Sequence, residues 1–214
     1  MRKPPKETID MLLMRNIPRE LVMAVEEALV VGALRASEAA KGMDAGHHPH
    51  VLGQMRHFHM NEAFHTALVT SASSTTPIRG NSVISGRSGL FSLGRFNASG
   101  HIWFNARRSK TRQQMSLANR AIEPLVQPGL FENYQEPANA TAFFVGCFSG
   151  GIENQSAATL SIHVAVPDKE MKGWLFREDI SRFLARYDSV ITVQEDKAMP
   201  SLKRGAIKRV VEEN

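Results

Sequence analysis

Cysteine is nearly absent: Cys147 is the only one in 214 residues. That excludes an intrachain disulfide and a cysteine-based zinc site. Long apolar runs are missing as well. The most apolar segment, from Leu21 to Leu34, is interrupted by Glu26 and Glu27 and falls short of a membrane span. The basic start from Met1 to Glu7 leads into no signal-peptide core, because Asp10 and Arg15 bracket the short run Met11-Leu12-Leu13-Met14. A reducing compartment is expected, with a cytoplasmic location and no membrane partner. The Walker loop, the dinucleotide fingerprint and the His-Glu-x-x-His pattern of zinc proteases are absent too. Charge is not extreme. Charged residues make up 22% of the chain, which argues against global disorder, and the net charge is +5. A surplus of that size permits nucleic acid, anionic nucleotides or an acidic protein as partner and requires none of them.

Hydrophobic residues amount to 43%, enough for a substantial core in one domain spanning residues 1–214. The Ser/Thr-rich connector Ser71 to Thr76, ending at Pro77, marks a subdomain break near residues 71–80. Before it, helical spacing predicts a short helix from Thr8 to Arg15, a long one from Pro18 to Lys41, and a third from Val51 to Val69. The long helix is apolar over so broad a surface that burial on more than one side is expected. After the break, Leu90–Phe96 and His101–Asn105 read as a strand hairpin, followed by a helix from Arg112 to about Leu125. Thr141–Phe148 and Ala158–Val166 read as strands, Gly173–Tyr187 as a helix with one buried face, Ser189–Val193 as a short strand, and Ser201–Asn214 as a surface helix. The expected fold is α+β, with N-terminal helices packed on a largely antiparallel sheet in the order ααββαββαβ.

The stretch Asn81 to Phe131 carries the leading functional expectation. Arg107, Arg108, Lys110 and Arg112 crowd the start of its helix. A helix N-terminus already has unpaired N–H groups and a partial positive charge, so cations there are mildly unfavourable and an anion would relieve them. Arg87, in Gly86-Arg87-Ser88-Gly89, and Arg95, in Gly94-Arg95, add to the same basic surface. Trp103, alternating with Phe104, offers an aromatic for base stacking. Together Arg87, Arg95, Trp103, Arg107, Arg108, Lys110 and Arg112 predict a binding or regulatory protein that recognises a polyanion, either nucleic acid or an acidic protein surface. The other reading of such a charge run is a solvated basic loop or pairing with internal carboxylates.

Six of the eight histidines fall between residues 47 and 65. His57, His59, Glu62 and His65 are the candidate metal ligands, and Glu62 with His65 has the Glu-x-x-His spacing of carboxylate-bridged metal bundles. On that reading the chain is a metal-assisted hydrolase using a divalent transition metal; without it, no cofactor is implied. The second Glu-x-x-His that such a site needs is absent. Cys147 and His163 suggest a thiol–imidazole pair, but a hairpin closed near residues 149 and 157 sets Cys147 opposite Thr159 and His163 opposite Phe143. A third reading is a protein-docking inhibitor or adaptor, which would require an exposed apolar patch, for example along the long helix.

Overall fold

The computed structural model describes residues 8–71, 73–99, 103–126, 137–150 and 159–191. Three helices come first: α1 (Ile9–Asn16), α2 (Arg19–Ala40) and α3 (His48–Thr70). Pro18 stands just before α2 and Pro49 falls in the first turn of α3, where a missing N–H costs nothing. The strands follow: β1 (Ser74–Thr75), β2 (Ser85–Ser88), β3 (Phe91–Ser99), β4 (Ala140–Phe148), β5 (Leu160–Pro167) and β6 (Trp174–Asp179). Between β3 and β4 lie a 3-10 turn (Trp103–Arg108), α4 (Lys110–Ser116), a second 3-10 turn (Leu117–Ala121) and α5 (Glu123–Val126). Helix α6 (Ile180–Ile191) closes the described chain. The fold is α+β with its helices leading, as the sequence predicts. Among the described residues no helix is long and apolar enough to cross a membrane.

The six strands stand in the order β1-β2-β3-β4-β5-β6, and every neighbouring pair is antiparallel except β3–β4. β4 is buried along its whole length, so both of its faces are covered. One face carries Phe91, Leu93, Ala142, Phe144, Ile162 and Val164 into the main core beneath α1, α2, α3 and α6. The other carries Phe96, Phe143, Val145, Cys147 and Ala165, covered in part by Ala106, Met115 and Met171. Asn119 ties this second layer to the sheet. Its Nδ2 donates to the carbonyls of Thr141 (3.1 Å) and Pro167 (2.7 Å), and its Oδ1 accepts from the Thr141 amide at 2.6 Å.

Several local expectations are corrected. Of the expected partner strand His101–Asn105, residues 101–102 lie outside the described residues and 103–105 lie in the 3-10 turn; β3 forms a hairpin with β2, which precedes it. Gly89, at φ +54°, makes the turn between them, and Asn16 braces it by accepting from the Leu90 amide at 3.2 Å. Residues 112–125 do not form one helix but α4, a 3-10 turn and α5. Trp174–Asp179 is a strand rather than the first turns of a helix, and α6 runs through Ser189–Ile191 where a strand was expected. The proposed helix over 201–214 lies outside the described residues. Helix α2 is buried on one side only; Met23, Val30, Val31 and Leu34 remain 40–54% exposed.

Helices α2 and α3 cross at Gly32, where an added Cβ would meet the backbone of Met60 at 2.8 Å and of His59 at 2.9 Å. Backbone atoms cannot swing aside as a side-chain tip can. Elsewhere in a helix, replacing glycine by alanine stabilises by about 1 kcal/mol. Here Gly32→Ala is expected to destabilise by about 1–3 kcal/mol, because overpacking outweighs propensity. Urea denaturation checks the sign, and a stabilised variant would show that the crossing has slack.

Candidate anion site at a buried arginine

The sequence of β3 alternates Phe91, Leu93, Arg95 and Asn97 on one face. Arg95 is in register with Phe144, whose ring lies 6.0 Å from Phe64 of α3, so the guanidinium projects into the core beneath that helix. Arg95 is only 4% exposed. Its Nη2 donates to Asn97 Oδ1 at 2.7 Å, while its Nε and Nη1 are buried and find no acceptor among the described residues. Burial, and next the charge of Arg112, pull its pKa down to about 9. The group therefore stays cationic at neutral pH in a place that disfavours charge.

Arg112 comes from α4, which lies with Ala106 and Met115 on the other face of the sheet, that of Phe96. The ladder between β2 and β3 ends at the pair Ser85 and Gly94, so beyond Gly94 that edge of β3 is not covered by β2. The Arg112 guanidinium lies over the Phe96 ring, 4.7 Å from its centroid, and its Nε donates to the Ala106 carbonyl at 2.9 Å. Burial lowers its pKa too. His57 on α3 feels the charge of both arginines. Burial first, then Arg95 and Arg112, hold its pKa below the usual imidazole value, and its Nε2 sits 3.3 Å from Asn61 Nδ2. One residue earlier, Arg56 is 4% exposed and stacks on Phe148 at 3.7 Å, with its pKa pulled to about 10 by burial. Gly146 is needed to seat this layer, since a Cβ there would stand 3.0 Å from Asn97 Oδ1 and 3.1 Å from Met60 Cε.

The six predicted cations are thus distributed unevenly. Arg95 and Arg112 are electrostatic neighbours. Arg87 sits in register with Ser92, on the opposite face of the sheet from Arg95, and is exposed. Arg107, Arg108 and Lys110 are exposed around the start of α4. Among the described residues none of the six lies within ion-pair distance of a carboxylate. The helix-terminus argument is corrected: α4 starts at Lys110, is seven residues long, and is capped by Ser109, whose Oγ accepts from the Arg112 amide at 3.4 Å. Its first amides are partly satisfied and its dipole is small. The side chain of Trp103 lies outside the described residues. His57, which feels the charge of Arg95 and Arg112, was not singled out as an anion-binding residue. The one sequence signal for this place was a charged residue, Arg95, inside the apolar run of a strand.

Helix α3 turns the predicted metal ligands different ways. His57 approaches Asn61, while His59 Nδ1 and Arg35 both approach Glu62 Oε2, at 3.5 and 3.4 Å. His65 is half-buried a turn further on. Among the described residues no three of His, Cys, Asp and Glu gather at metal-holding spacing. A cavity of about 270 Å³ at the β5–β6 turn is lined by Glu123, Asp168 and Trp174. Its carboxylates are already engaged: Asp168 accepts from the amides of Glu170, Lys172 and Gly173, and Glu123 from the amide of Lys169. The chain matches no protein-family model, no curated protein and no solved structure.

The strand register also corrects the cysteine–histidine estimate. Cys147 stands opposite Ser161 and Val145 opposite His163, an offset of two residues rather than four. Ser161 lies between them, its Oγ 3.4 Å from His163 Nε2. Burial nevertheless pushes the Cys147 thiol up to about 11, against a weaker opposing pull from Arg177. At pH 8 only about one molecule in a thousand would carry the thiolate. Cys147 is therefore expected to resist a thiol reagent in the folded protein at pH 8 and to react fully once denatured. Rapid labelling of native protein would contradict this environment.

Proposed function

We propose that the protein binds a polyanion, either nucleic acid or an acidic protein surface, with Arg95 and Arg112 as the inner contacts. Arg107, Arg108 and Lys110, and Arg87 at the neighbouring hairpin, are the outer ones. The observation that carries this reading is the Arg95 guanidinium. It is buried and charged, it feels the charge of Arg112, and it has no carboxylate at ion-pair distance among the described residues. A buried charge left uncompensated costs several kcal/mol, roughly 3–5 where a partner has been removed. A ligand that supplies negative charge recovers part of that cost on binding. The exposed cations around α4 have no such cost and serve long-range attraction instead. A reducing, cytoplasmic setting belongs to the same proposal and is supported by the single buried thiol.

A second reading, docking on another protein, is favoured by the exposed apolar row Met23, Val30, Val31 and Leu34 on α2. It does not compete for the same residues.

For nucleic acid, affinity for a single-stranded oligonucleotide should fall steeply with salt, with a log–log slope of about −0.7 for each phosphate neutralised. The triple variant Arg107→Gln, Arg108→Gln, Lys110→Gln is expected to make that slope shallower by about 2. Fluorescence anisotropy between low and moderate salt measures both. Affinity that stays flat over that range would rule out nucleic acid.

A further inference from the structure

We propose that the segment from Met199 to Val211 docks on the exposed row of α2 as an amphipathic helix running parallel to it. The polyanion reading is independent of this contact. Docking of a separate protein on α2 is its competitor, because both need the same row.

The chemistry of the row selects its occupant. Met23, Val30, Val31 and Leu34 are 40–54% exposed. Glu27 lies among them, one turn from Met23 and from Val31. Along this face Met23, Glu27, Val31 and Leu34 are spaced four, four and three residues apart. Glu20 and Glu38 extend the same line toward its two ends. Arg35 is engaged with Glu62 at 3.4 Å and Lys41 with Glu38 at 3.6 Å. Glu20 and Glu27 are exposed, and among the described residues neither lies in an ion pair. A partner for this face should be apolar along one stripe and positive within it. A second copy apposed through the row would set one acidic line against another, which like charge opposes.

Residues 199–211 have that composition at the same intervals. Met199, Lys203, Ile207 and Val210 are again four, four and three apart, with a lysine where α2 has a glutamate. Ala206 and Val211 widen the stripe, and Pro200 suits the first turn of a helix. Two parallel helices bring corresponding positions of their stripes level with one another. Met199 then meets Met23, Lys203 meets Glu27, Ile207 meets Val31 and Val210 meets Leu34. Arg204, Lys208 and Arg209 fall at the flanks and on the outer side. A helix over 200–211 is about 18 Å long, against about 17 Å from Met23 to Leu34.

The described chain delivers this segment to the right end of α2. Ser181 Oγ donates to Glu26 Oε1 at 3.4 Å, and Arg19 Nε lies 3.6 Å from Asp188 Oδ1. Helix α6 therefore runs antiparallel to α2 and ends at Ile191, near the start of α2. A reversal after α6 sends the following residues parallel to α2. Glu26 is a surface neighbour of Met23 and Val30, so the row lies beside the line where α6 packs. Residues 192–198 span up to about 23 Å when extended. The return from the end of α6 to Met23 needs about 15 Å, one interhelical spacing sideways and about two turns along α2.

Limited trypsin digestion of the full chain, followed by mass spectrometry, tests the contact at Lys208 and Arg209. Cleavage there should be at least about tenfold slower than in a free peptide of residues 192–214, since the protease cuts the undocked state. Leu34→Asp, at an exposed position and with unchanged circular dichroism, should restore most of the peptide's rate. Glu27→Lys should speed cleavage about threefold, and Lys203→Glu added to it should bring the rate back. With Val31→Cys and Ile207→Cys, mild oxidation should give an intrachain disulfide at a rate independent of protein concentration. Ala39→Cys with Ile207→Cys, off the shared face, should crosslink at least about fivefold more slowly. Cleavage of the parent chain at the peptide's rate overturns the docking and returns the row to a separate partner. Protection that neither α2 variant changes overturns the site on α2. Disulfide-linked dimers in place of the intrachain bond assign the row to a second copy and overturn it as well.

Discussion

A guanidinium sealed beneath α3 without a carboxylate at ion-pair distance among the described residues is the constraint from which this account follows. Folding removes Arg95 from water, and among the described residues a single hydrogen bond to Asn97 replaces what hydration provided. A group in that state usually shifts its protonation equilibrium or acquires a counter-charge. An arginine has little room to neutralise near pH 7 even when pulled to about 9. The charge remains, and the charge of Arg112 adds to the repulsion. Packing that holds such a group in place stores electrostatic cost that an anion can lower.

The rest of the architecture serves to keep that cost from being relieved by movement. Gly32 lets α2 press its backbone against α3, and α3 in turn lies over β3 and β4 through Phe64 and Met60. Gly146 leaves room for Asn97 Oδ1, so the partner of Arg95 is itself confined. From the opposite face, Asn119 binds the segment carrying Arg112 to β4 and β5 through three hydrogen bonds. β3 and β4, the parallel pair, lie at the middle of the sheet, where displacement would disturb both layers. Preorganisation of this kind reduces the ordering cost that a ligand would otherwise meet.

Much of the fold was legible because its apolar spacing is plain. The three N-terminal helices, β4 and β5 sit close to where periodicity put them. What misled was local ambiguity resolved by packing. Phe176 and Ile180 continue backward the helical spacing of Phe183, Leu184 and Tyr187, yet Trp174–Asp179 pairs with β5 as an edge strand and enters α6 without a loop. β2, with the sequence Ser-Gly-Arg-Ser, has almost no strand propensity and exists because Gly86 fits against Leu68 and Asn16 holds the turn. The site was half legible. The cations were visible, but their crowding along the chain drew attention to a helix start that proves short and capped. Which of them loses its water depends on strand register and on where α3 crosses, and neither is written in local sequence. Arg56 and His57 look like any other polar residues of an amphipathic helix until β3 and β4 are placed beneath them.

The central claim is that the Arg95 side chain meets an anion directly. Its Nε–Hε resonance, assigned by loss in Arg95→Lys, can be followed by two-dimensional NMR while phosphate is added at constant ionic strength. A saturable shift of that resonance, tracking a single dissociation constant and accompanied by Arg112, is the predicted result. An Arg95 signal that stays in place while exposed arginines such as Arg107 and Arg108 drift together without saturation would contradict it.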